Sequence, residues 1–180
     1  MKNKRLYMIV LSSVFAALSA VLVGFVRIPN AIGGYIPPGD AIVYLCASLL
    51  PFPYAAVSCA IGFALADLIG GYVYYMLPSA IIRVIVVLLF TSKDNKLINR
   101  RNVTALPFSL LITVSGYFIF KYILYYFVQK TPEVALVNAF ASIPGNIVQS
   151  AVSSVIFLLL GASLDKMNFK EKLFGGKYNV

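Results

Sequence analysis

Of the 180 residues, 61% are hydrophobic and 12% charged, where a soluble domain carries about 45–50% and about 25%. That imbalance excludes a water-soluble globule, a disordered chain and a disulfide scaffold. The net charge of +9 on so apolar a chain reads as basic loops beside an anionic leaflet rather than a nucleic-acid surface.

A bilayer-crossing helix uses about 20 mostly apolar residues. The apolar runs predict six spans, at about residues 6–26, 41–51, 54–71, 78–90, 105–128 and 146–164, in one membrane domain covering residues 1–180. The first run follows Lys2, Lys4 and Arg5 and is longer than the apolar core of a signal peptide, about 7–15 residues, so it is expected to be retained. Between the first two spans, Pro29, Gly33, Gly34, Pro37, Pro38 and Gly39 rule out a continuous helix. Asp40 then stands where an N-cap belongs. Pro51 and Pro53 separate spans two and three, and a polar stretch at residues 91–102 separates spans four and five. A further apolar piece, residues 134–143, lies between Pro132 and Pro144-Gly145.

Basic residues set the expected orientation. With N and C termini cytoplasmic, eleven are inside: Lys2, Lys4, Arg5, Lys93, Lys96, Arg100, Arg101, Lys166, Lys170, Lys172 and Lys177. Only Arg27 and Lys130 fall outside, while Arg83 and Lys121 fall within spans. The expected fold is therefore an all-α integral membrane protein, a six-transmembrane-helix bundle with both termini inside.

Asp67, Arg83 and Lys121 are the ionisable groups within spans. Such groups are costly in lipid and face a partner or a cavity. Asp67 and Arg83 lie at similar depth, about 6–8 Å below the outer boundary at 1.5 Å per residue. They are expected either to pair across spans three and four or to face an outward cavity. Lys121 either snorkels outward or points into that cavity. Asn146, Gln149 and Ser150 share one helical face, which either binds neighbouring helices or lines a site. The tyrosines gather towards the outer side, as an interfacial belt or as ring-stacking groups.

Ser12, Ala16, Ala20 and Gly24 recur every fourth residue, a ladder that allows close backbone approach. It packs either within the bundle or against another membrane subunit. Histidine is absent and the two cysteines, Cys46 and Cys59, lie in apolar runs, so no metal site is expected and no cofactor is called for. There is no GxxxxGK[ST] phosphate loop. No catalytic constellation is evident.

The stretches GGYIPPGDAIVYL, PFPYAAVSCAIGFALADLIGGY, PSAIIRVIVVLLF and IPGNIVQSAVSSVIFLLLG, in this order behind an alanine-ladder first helix, resemble the substrate-binding S component of an energy-coupling factor (ECF) transporter, a bacterial vitamin importer. The resemblance runs from Ser12 to about Leu164. It implies a transporter subunit of the bacterial plasma membrane, not an enzyme, that binds a water-soluble vitamin or precursor near the outer face. It implies as partners a transmembrane coupling subunit and two cytoplasmic ATPases, which would explain the missing phosphate loop. It implies Tyr35, Asp40, Asp67, Tyr74, Tyr75, Arg83, Asn146 and Gln149 as substrate-binding candidates, and Ala16 and Ala20 as the coupling-subunit contact. The polar set suggests a pyrimidine or pyridine compound, and the lack of Trp and His speaks against thiamine. Two competing expectations are a small membrane enzyme or accessory acting on a lipid-phase substrate, and a channel or scaffold that oligomerises through helix one.

Overall fold

The computed structural model describes residues 4–26, 28–29, 35–36 and 38–175. Its first helix, α1 (Lys4–Phe25), has 22 residues, about 33 Å at 1.5 Å per residue and enough for a hydrocarbon core of about 30 Å. Two-residue strands β1 (Ile28–Pro29) and β2 (Tyr35–Ile36) pair antiparallel in the connection that follows. Then come α2 (Gly39–Leu49), α3 (Phe52–Ile69), a single 3₁₀ turn at Val73–Tyr75 and α4 (Met76–Leu89). The chain continues with α5 (Arg100–Gln129), α6 (Pro132–Ala141), α7 (Ile143–Lys166) and α8 (Phe169–Phe174).

Local chemistry sets these limits. Proline stands in the first turn of α3, α6 and α7, where its missing N–H costs nothing. Asn99 caps α5 by accepting a hydrogen bond from the Asn102 backbone N–H, so α5 begins at Arg100, earlier than the apolar pattern suggests. After α3, Gly71 has φ +79, a conformation open to glycine, and it turns the chain towards α4. The apolar piece before Pro144 is a helix of its own, α6.

By length and composition, four stretches can cross a membrane: Lys4–Phe25, Phe52–Ile69, Arg100–Val128 and Pro132–Lys166. The apolar helices α2 and α4 are shorter. Of the residues of α2, all but Ile42 are buried, as expected of a helix apolar on every side. Its neighbours are α1, α3, α4 and α7.

Helices α1 and α3 run parallel, with Ser58 Oγ donating to the Ser12 carbonyl at 2.7 Å. Further along the seam, Gly62 lies against the Ala16 backbone and Ser19. Ala16 and Ala20 are 9% and 7% exposed on this face. On this face the ladder packs against α3. The opposite face of α1, including Ile9, Val14, Leu18 and Val21, is exposed and suits lipid.

At one end, the start of α1 meets α8, where Tyr7 Oη donates to the Leu173 carbonyl at 3.2 Å and its ring lies edge-on to Phe174. Lys170 is 3% exposed. Its ammonium donates to the carbonyls of Ser48, Ser92 and Asp94 at 2.9, 2.6 and 2.6 Å. Burial pushes it down to about 8. Asp165 accepts from the Leu97 and Ile98 backbone N–H groups, and Asn102 donates to Ser48 Oγ and the Thr91 and Leu97 carbonyls. The α4–α5 loop is thereby bonded to α2, α7 and α8.

Candidate functional site

Arg83, on the second turn of α4, is fully buried. Its Nη2 is 2.8 Å from Asp40 Oδ1, and both side chains are 0% exposed. Nη1 donates to Thr113 Oγ1 of α5 at 3.0 Å. The other oxygen of Asp40, Oδ2, accepts from Gln149 Nε2 of α7 at 3.1 Å. The guanidinium also lies over the Phe63 ring of α3, 4.7 Å from its centroid, and 5.8 Å from that of Tyr117. Side chains from α2, α3, α4, α5 and α7 thus meet around one ion pair. Isolated, either charge would be prohibitive in this interior; together, with hydrogen bonds to Arg83 Nη1 and Asp40 Oδ2, they are tolerated.

Of the two alternatives for Asp67 and Arg83, the direct pair is not the one seen: the ion-pair partner of Arg83 is Asp40. Asp40 takes the role because α2 starts inside the bundle: a Cβ at Gly39 would collide with Val23 and approach Phe63 Cζ to 3.2 Å. Pro38 precedes the helix and no side chain caps it, so Asp40 is a first-turn residue and not an N-cap. Its charge also complements the positive end of the α2 dipole.

Asp67 is nevertheless 8% exposed, and its Oδ2 has no hydrogen-bond partner among the described residues. The same holds for Asn146 Nδ2 and Ser153 Oγ. Gln149 and Ser150, with Ser153 one turn on, form a buried polar face of α7. Tyr75 is half-buried, with its ring 5.1 Å from Phe120 and 6.4 Å from Tyr117, while Tyr117 Oη and Ser79 Oγ are 2.8 Å apart. Tyr74 is 77% exposed and is not brought to the centre. Tyr35 pairs through its backbone in β2, and its side chain lies outside the described part. Lys121 is half-buried on α5.

Sequence reasoning missed Phe63, Ser79 and Thr113, and did not single out Tyr117 from the other tyrosines. A signal existed for three of them. Ser79 precedes Arg83 by one turn on α4, and Thr113 precedes Tyr117 by one turn on α5, so each pair shares a face. Among the described residues no three His, Cys, Asp or Glu side chains group as a metal site.

Below this centre the core is aromatic. Tyr44 stacks on Phe90 at 5.1 Å and meets Phe157 edge-on at 5.9 Å, and its hydroxyl accepts from Ser109 Oγ at 2.9 Å.

The family model for the S component of ECF-type riboflavin transporters matches residues 3–166. The chain belongs to this family of ECF transporter S components. No curated protein and no solved structure matches it. Membership makes it a membrane-embedded subunit for vitamin uptake, a transport protein and not an enzyme.

Proposed function

We propose that this S component captures riboflavin, or a vitamin with a similarly flat polar ring, at the end of the bundle holding Asp40, Arg83 and Gln149. The carrying observation is that centre: a fully buried ion pair beside buried polar atoms of Asp67 and Asn146 with unused hydrogen-bonding capacity. Riboflavin is the cargo in the family's description. Its ring system has an edge of alternating carbonyls and N–H, which suits the amides of Asn146 and Gln149. A pyrimidine or pyridine precursor would use the same amides. Phe63, Tyr75 and Tyr117 supply ring faces for stacking.

The same reading covers orientation and partners. Six spans with both termini cytoplasmic, in a bacterial plasma membrane, put the eleven basic residues inside and the polar centre towards the outside. Two cytoplasmic ATPases hydrolyse ATP and drive uptake through a transmembrane coupling subunit. The coupling subunit docks on α1 where small side chains allow close approach, at Ala16 and Ala20 and the exposed Ser13 and Ala17 beside them.

The test is titration of purified protein with riboflavin, without ATP, followed by quenching of flavin fluorescence. Tight binding is expected, and Asn146→Ala weakens it about fivefold, the effect of one neutral hydrogen bond, with unchanged membrane insertion. No binding of riboflavin or of any other B vitamin or precursor would sink the reading.

A further inference from the structure

The end of the bundle opposite the charged centre holds a cavity of about 720 Å³, within the range of about 300–1,000 Å³ typical of ligand pockets. Its walls come from five places: the start of α1, the α2–α3 corner, the end of α4 with its following loop, the start of α5, and α8. The interior is apolar, with Leu50, Phe90 and Phe174 among its lining residues. Lys4, Lys93 and Arg101 also line it, and among the described residues no acidic one does. Arg101 is held in place by its Nε and Nη2, which donate to the Leu89 and Leu88 carbonyls at 3.1 and 3.3 Å. Neither lysine ammonium takes part in an ion pair or hydrogen bond among the described residues.

An apolar cavity lined by three cations and no anion complements a molecule with an oily body and an anionic head. We propose that this cavity is a binding site for one anionic phospholipid of the cytoplasmic leaflet, acyl chain inside and phosphate among Lys4, Lys93 and Arg101. Basic pockets between helices at the cytoplasmic side are suited to anionic headgroups, and that leaflet supplies them. The leaflet assignment rests on the orientation proposed above; the site itself rests on the cavity and its charge.

The experiment reconstitutes the protein in vesicles of equal phosphatidylglycerol and phosphatidylcholine, extracts it in mild detergent and quantifies retained lipid by mass spectrometry. Wild type is expected to retain phosphatidylglycerol in preference. The double variant K4Q/K93Q should retain it about thirtyfold less, since each cation near a headgroup is worth about fivefold. The control K96Q/K172Q, which removes two exposed charges from residues outside the cavity lining, should keep the preference. Equal retention of the two lipids, or equal loss in both double variants, overturns the proposal. So does a cavity shielded only by a protein partner, with no lipid preference in the isolated subunit. Riboflavin titration on the same samples separates the two readings, because K4Q/K93Q leaves the distant polar centre intact.

Discussion

Asp40 and Arg83 make each other tolerable, so removing one is expected to be worse than removing both. Asp40→Asn leaves a buried guanidinium without its counter-charge and should cost about 3–5 kcal/mol. The double variant Asp40→Asn with Arg83→Met should recover most of that, read as unfolding midpoints in detergent. Equal losses in single and double variants would show that the charges are not coupled. Lys170 offers a pH test. Its folded value of about 8 lies below the unfolded value near 10.4. Across that window the unfolded chain holds more protons, so this group's contribution to stability rises with pH. The unfolding free energy of wild type should climb relative to Lys170→Met, by on the order of 3 kcal/mol from pH 8 to 10.4. Parallel curves would show an ordinary lysine. Individual roles were only partly legible in the chain. Arg83 announced itself as a cation in an apolar run, but its partner did not. Depth arithmetic favoured Asp67, whereas the real determinant, α2 beginning against Val23 and Phe63, depends on tertiary packing.

At the scale of helices, the parallel α1–α3 seam depends on Gly62. An added Cβ there would stand 2.7 Å from Ser19 Cβ and 2.8 Å from the Ala16 carbonyl oxygen, and a backbone oxygen cannot step aside alone. Gly62→Ala is expected to destabilise by about 1–3 kcal/mol through overpacking, and Gly62→Leu to prevent accumulation of folded protein. Both should reduce ligand binding together with stability, whereas Ala17→Leu on the exposed stripe should spare both and impair only coupled uptake. Retained stability in Gly62→Leu would overturn the seam. Helix positions were readable from apolar run length and proline placement. The ladder of small residues was readable too, but not its partner, because small residues permit close approach to any helix and specify none.

For the whole molecule, the start of α1 and the last described helix meet at one end. The proposed topology puts the α4–α5 loop at that same end and the α3–α4 turn at the other. Single cysteines at Asn95 and Tyr74 test this, since the native Cys46 and Cys59 are buried and give little background. In intact cells, an impermeant maleimide should label Tyr74→Cys and not Asn95→Cys; in inverted vesicles the pattern should reverse. Labelling of both from one side would remove the six-span topology. Composition carried the membrane assignment, because it is a sum over many residues. The polar centre is built from five helices, and no local stretch of sequence encodes such convergence.

The clamp at Lys170 also has a place in time. It closes on Ser48, 122 positions earlier in the chain. At a synthesis rate of about 5–20 residues per second, those 122 positions take roughly 6–24 s. Through that interval the α2–α3 corner sits at the membrane surface without its final hydrogen-bond donor, so water or the insertion machinery must serve the Ser48 carbonyl until α8 arrives.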